Sequence, residues 1–135
     1  MDFKLSVLEN DLVQLFPLVE SDFDALYQVA SDPMIWEQHP QKNRYEESVF
    51  RLFFDEAITH QLAYKIIDKN SGELIGSSRY YNCDFSQKSI AIGYTFIARK
   101  FWGTPYNASI KSLMIQFAFT NFDLIYFHVD QNNFR

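Results

Sequence analysis

The chain predicts an α+β domain: a mixed, mostly antiparallel sheet with helices on both faces. Three observations predict it. Apolar spacing switches from the helical to the strand period at residue 62 and back again at residue 107. Two apolar segments, 62–67 and 74–81, are joined by Asp68-Lys69-Asn70-Ser71-Gly72-Glu73, a good hairpin turn. Residues 124–129 are apolar at nearly every position, the pattern of a strand covered on both faces.

A first strand is expected over 12–19, broken by Glu20-Ser21-Asp22. Ser21 followed by Asp24 has the spacing of a capping box, and Phe23, Leu26, Tyr27 and Ala30 follow at helical spacing until Asp32-Pro33 ends the helix. A polar connection over 37–43 leads to a second helix with Glu46 and Glu47 near its start. Its apolar face is Val49, Phe50, Phe53, Phe54, Ala57 and Ile58. The hairpin follows, then a break over 82–87 and a strand over 89–97. A third helix should start at Asn107, a strong N-cap type, and run to about Asn121. Ile110, Leu113, Met114 and Phe117 line its buried side, and Ile115, Ala118 and Phe119 widen it, so cover on more than one side is expected. The order is β-α-α-β-β-β-α-β, with a helical crossover near the end. There is no repeat, linker or low-complexity segment.

At 135 residues this is a single domain able to bury a core, and 47% hydrophobic residues exclude a disordered tail. A net charge of −5, spread without long runs, gives no general electrostatic reason to bind nucleic acid. The start lacks a signal-peptide pattern, and no apolar run reaches the roughly 18–20 residues that span a bilayer. Cys83 is the only cysteine, which fits a reducing cytoplasm and a small packed hydrophobe rather than a nucleophile. His39, His60 and His128 share no metal-ligand spacing, so no metal is expected.

The most informative stretch is 90–107: an apolar strand, a turn carrying Gly103, and a helix start. The first turn of a helix has N–H groups without internal partners, so the arrangement can aim several donors at one anion. A tight connection around a packed Trp102 fits these residues equally well. The whole string, however, resembles the GNAT superfamily of acetyl-CoA-dependent N-acetyltransferases, in the branch of the ribosomal-protein N-terminal acetyltransferases. The resemblance runs from Leu12 to Arg135. Its most specific parts are Ile92-Gly93-Tyr94-Thr95-Phe96, Lys100-Phe101-Trp102-Gly103-Thr104-Pro105-Tyr106-Asn107 and Phe127-His128-Val129-Asp130-Gln131-Asn132-Asn133-Phe134-Arg135.

The resemblance implies acetyl-CoA as cofactor and a primary amine as acceptor, either a protein N-terminus or a small molecule. The family's pyrophosphate loop reads Arg or Gln, two residues, Gly, one residue, then Gly or Ala. Lys100 takes the first place, beside Arg99, and Gly103 the second, while Pro105 stands where the last small residue is usual. By the same resemblance Phe96 and Ile97 hydrogen-bond the pantetheine arm, in the opening between the 89–97 and 124–129 strands. Lys100, Phe101, Trp102, Gly103, Thr104, Tyr106 and Asn107 form the phosphate loop, and Asn133 faces the cofactor. Trp36 and Glu37 border the acceptor, Glu37 as a candidate base, and the strand tyrosines Tyr80, Tyr81 and Tyr94 are candidates to supply a hydroxyl. Each also has a plainer reading: Glu37 as a solvated acid, the tyrosines as half-buried packing, and Arg44, Glu46 and Glu47 as a solvated helix start.

Many relatives carry a glutamate where this chain has Ala91, so the most obvious general base is absent and the catalytic residues stay unknown. Neutralising an α-amine of pKa about 8 at pH 7 costs about 1.4 kcal/mol, against about 4.6 for a lysine near 10.4. A site without a strong base therefore favours a peptide N-terminus or another low-pKa amine. Family members continue beyond Asn133 into a helix and two strands, so a truncated domain is expected, with an apolar edge at 124–129 open to a second copy as a homodimer. The alternative to an enzyme is a non-catalytic CoA-binding or interaction domain that dimerises through that strand.

Overall fold

The computed structural model describes residues 3–37 and 39–127. The chain runs β1 (Leu8–Glu9), β2 (Val13–Pro17), α1 (Phe23–Ala30), α2 (Glu47–His60), β3 (Ala63–Asp68), β4 (Leu74–Asp84), β5 (Ser89–Ile97), α3 (Tyr106–Ala118) and β6 (Leu124–Phe127). Single 3-10 turns precede α1 (Glu20–Asp22) and α3 (Arg99–Phe101), and a third spans Pro33–Trp36. The six strands lie in chain order within one sheet. Neighbours pair antiparallel up to β5, and β6 then pairs parallel to β5. A parallel pair needs a crossover, and α3 supplies it.

Helices cover both faces. Adjacent residues of β4 demonstrate it, because successive strand side chains point to opposite sides. Tyr80 sends its hydroxyl to the Met114 carbonyl of α3 at 2.7 Å, while Arg79 reaches Glu56 of α2 at 2.9 Å. On the α3 face Ile110, Met114 and Ala118 pack with Val13, Leu15, Tyr64, Ile66, Ile90 and Ile92, all buried. The other face is aromatic: Phe23 and Leu26 of α1, Phe50 and Phe54 of α2, then Trp36 and Phe96. Among the described residues no helix is long and apolar enough to cross a membrane.

Several boundaries differ from expectation for local reasons. The N-terminal cap lies at Val19 and Asp22 rather than Ser21 and Asp24, since the Asp22 carboxylate accepts the Val19 N–H at 2.8 Å. That shortens β2 and inserts the 3-10 turn. β1, only two residues long, carries no pattern to detect. β4 continues to Asp84, because Asn82 at φ 51° forms a bulge inside the strand instead of ending it. The N-cap of α3 is Pro105, not Asn107, and the helix stops at Ala118. Its buried stripe is Ile110, Met114 and Ala118, while Phe119 is exposed, so α3 is covered on one side. β6 exposes Leu124, Tyr126 and Phe127 rather than being covered on both faces, because it pairs with β5 alone among the described residues.

Candidate functional site

The site starts where β5 ends. The Ala98 N–H binds the Ile75 carbonyl at 2.8 Å, and the following 3-10 turn satisfies Phe101 N–H on Ala98 and Trp102 N–H on Arg99, both at 3.0 Å. The Trp102 indole then folds back and donates to the Ile97 carbonyl at 3.1 Å, closing the strand end. Gly103 sits at φ 70° with nothing within 4 Å of a built Cβ, so the left-handed dihedral rather than space selects glycine. Thr104 donates its hydroxyl to the Phe101 carbonyl and accepts the Tyr106 N–H at 3.3 Å. Pro105 loses nothing by lacking an N–H at a helix start.

Four backbone donors remain. Among the described residues, the N–H groups of Gly103, Thr104, Asn107 and Ala108 make no hydrogen bond to the protein. They fall within six residues, on exposed or half-exposed positions, at the positive end of a 13-residue helix with no acid in its first turn. The helix start is also anchored. Tyr106 donates its hydroxyl to Asp68 at 2.8 Å, and its ring lies 4.5 Å from that of Phe101. Burial alone would raise the Asp68 carboxyl, but hydrogen bonds from Ser71, Tyr106 and the amides of the turn outweigh it and hold it below the usual range. Free N–H groups at a helix start are the kind of donor that binds a phosphate anion.

One strand away, β5 is deformed. Ser77 pairs with Phe96 and Arg79 with Gly93, so two steps along β4 oppose three along β5, a bulge centred on Tyr94 at φ 53°. The two strands crowd beside it: a Cβ on Gly76 would lie 2.0 Å from the Phe96 carbonyl oxygen. Ser78 and Thr95 hydroxyls hydrogen-bond at 2.7 Å across the bulge.

On the α2 face of the bulge lies a cationic, aromatic cluster. The Arg79 guanidinium sits 3.7 Å over the Tyr94 ring and 5.5 Å from that of Phe53. Its Nη2 donates to Glu56 at 2.9 Å, but Nε and Nη1 are buried without a partner among the described residues. A buried N–H left without an acceptor costs about 1–3 kcal/mol. Arg44 lies over Phe53 at 4.8 Å, with Trp36 at 5.6 Å and Tyr94 at 5.8 Å. Burial lowers the Arg44 pKa from its ordinary value; the positive charge of Arg79 adds to that, against Tyr94 and Glu56.

Residues 13–135 match the family described as the Acetyltransferase (GNAT) domain. This chain belongs to that family. Solved structures agree on the fold. A GCN5-related N-acetyltransferase from Brucella melitensis superposes at TM-score 0.73 with 22% identity, over 85% of this chain and 55% of its own. The Vibrio cholerae spermidine N-acetyltransferase, solved with CoA and spermine, gives 0.71 at 17% identity, over 89% and 72%. Mycobacterium smegmatis RimJ, solved with CoA-disulfide, gives 0.68 at 17% identity, over 96% and 68%. The chain thus spans little more than half the length of the Brucella protein.

Within this GNAT domain the residues singled out in the sequence take distinct places. Gly103, Thr104 and Asn107 carry unpartnered amides, whereas those of Phe101, Trp102 and Tyr106 are engaged within the loop. Lys100 is exposed and pairs with Glu73 at 3.3 Å, and Arg99 pairs with Asp32. Phe96 and Ile97 have buried side chains, and the Ile97 carbonyl already receives the Trp102 indole. The described pairing of β6 reaches Ile92 with Phe127, so 93–97 have no partner on that side among the described residues. Asn133 lies outside the described residues.

Trp36 is a core residue, its indole donating to the Ala30 carbonyl at 2.8 Å, and Glu37 stays on the surface beside it. Tyr80 is buried against α3, on the face opposite Arg79, where burial pushes its hydroxyl far above the ordinary value. Tyr94 is half-exposed on the bulge. Arg79 and Glu56 were not picked out in the sequence, Phe53 was read only as part of the apolar face of α2, and Arg44 is half-buried rather than part of a solvated helix start. The available signal was an arginine inside the run Ile75-Gly76-Ser77-Ser78-Arg79-Tyr80.

Proposed function

We propose that this domain transfers an acetyl group from acetyl-CoA to a primary amine. The observation that carries the reading is the set of unpartnered amides at Gly103, Thr104, Asn107 and Ala108, at the end of β5 in a GNAT domain. In this reading those amides hold the diphosphate, and Lys100 and Arg99, paired here with Glu73 and Asp32, flank it. The cofactor arm runs along 93–97 towards the bulge. Acetyl-CoA brings the thioester whose C–S bond breaks as the amine nitrogen forms the new C–N bond, with a nitrogen proton ending on the CoA sulfur.

We assign the acceptor to the low-pKa amines, a protein N-terminus of the ribosomal-protein type before a lysine. Ala91, buried at 2% exposure, leaves no carboxylate at that place on β5. Cytoplasmic location and pairing of two copies through the exposed β6 belong to the same reading. Calorimetric titration of CoA tests the cofactor, and acetyl transfer to a peptide library tests the chemistry. Saturable binding weakened about tenfold by Gly103→Ala is expected. Absence of CoA binding by the full chain contradicts the reading.

A further inference from the structure

The Arg79 cluster is built unlike the other charged pair on its face of the sheet. Lys65 and Asp22 meet at 2.8 Å, one cation to one carboxylate. The cluster at the bulge instead sets two guanidinium groups, Arg79 and Arg44, against the one carboxylate of Glu56. Glu56 engages a single nitrogen, its side chain is 56% exposed, and the Arg79 side chain is 6% exposed. Two buried arginine donors are therefore left over beside a surplus of positive charge. Aromatic faces of Tyr94 and Phe53 offset part of the burial of Arg79, but a ring face accepts no hydrogen bond of carboxylate strength.

We propose that Arg79 and Arg44 receive an anionic group, a carboxylate or a phosphate, carried by the amine that is acetylated. The inference rests on the acetyltransfer reading and deepens it by naming the acceptor class. A guanidinium pair matches either oxyanion through paired N–H donors. The anion enters past the Tyr94 ring, which is half-exposed on its bulge and covers the Arg79 guanidinium. The same surplus charge disfavours polyamines, whose several ammonium groups are repelled. It also lowers the pKa of an ammonium brought alongside, favouring the neutral nucleophile at a site where Ala91 supplies no base.

The test compares transfer to a short peptide beginning with Glu, its Gln counterpart, 2-aminoethyl phosphate and spermidine. An anionic amine is expected to exceed the Gln peptide and spermidine by about tenfold or more in kcat/KM. The ranking of the Glu peptide against 2-aminoethyl phosphate separates carboxylate from phosphate. Arg44→Gln is expected to erase the preference chiefly through KM while CoA affinity holds, and Arg79→Gln to do the same where it folds. A direct arm needs no turnover: glutarate and inorganic phosphate are titrated at fixed ionic strength while Trp36 fluorescence is followed in a Trp102→Phe background. Saturable binding in wild type, lost in Arg44→Gln, supports the proposal. Equal rates on Glu and Gln peptides, a preference for spermidine, or no saturable anion binding overturns it. Failure to bind CoA overturns the acetyltransfer reading instead, and the anion titration then decides the arginine pair alone.

Discussion

Glycines separate geometry from function at single positions. Gly72 and Gly103 share the left-handed region at φ 75° and 70°, each with open space around a built Cβ. Alanine at either is expected to cost about 1 kcal/mol in urea unfolding, the strain of the backbone alone. Only Gly103→Ala is expected to weaken CoA, because only Gly103 shapes the donor cluster. Gly76 differs, since its Cβ would collide with the backbone carbonyl of Phe96. Gly76→Ala is expected to destabilise by about 2–3 kcal/mol, readable as a lower urea midpoint. These roles were partly legible: Gly103 stood out in its motif, but Gly76 read as an ordinary strand residue. The close approach that demands it comes from β5, a register the sequence pattern does not encode.

At the scale of the element, α3 packs on the sheet through Ile110, Met114 and Ala118, and polar side chains tie its start. Tyr106 to Asp68 is the bond with a charged acceptor, and Tyr106→Phe is expected to lower the urea midpoint. It carries a pH signature. The Asp68 carboxyl is held below its unfolded value, so its stabilisation is present above about pH 4 and is lost as pH falls through the folded value. Unfolding free energy measured from pH 6 down to pH 2 should fall more gently in Tyr106→Phe than in wild type. The helix itself was legible through its apolar spacing, and the hairpin through Gly72. Its true start was not, because Thr104 and Pro105 act before Asn107, the residue with the better capping chemistry. The bulge at Tyr94 was hidden for a related reason: Ile92-Gly93-Tyr94-Thr95-Phe96 alternates acceptably as a regular strand until paired with β4.

Across the whole molecule, the sheet divides labour between its faces and its strand ends. The α3 face is an apolar core, the α1 and α2 face an aromatic core with the Arg79 cluster at its margin, and the donor turn closes the end of β5. Fold class and helix faces could be read from periodicity because they depend on local spacing. The cluster could not, since Arg44 precedes α2, Phe53 and Glu56 lie on α2, and Arg79 and Tyr94 lie on β4 and β5, so they meet only once helix and sheet are packed. Met114→Ala, in the centre of the α3 face, is expected to lose about 2–4 kcal/mol and lower the urea midpoint, leaving the Arg79 face unaffected. The central claim is that four unpartnered amides bind the CoA diphosphate. Backbone amide shifts followed by NMR during CoA titration test it most directly. The account predicts that Gly103, Thr104, Asn107 and Ala108 move most and saturate together. Saturation elsewhere with those four amides unmoved would contradict it.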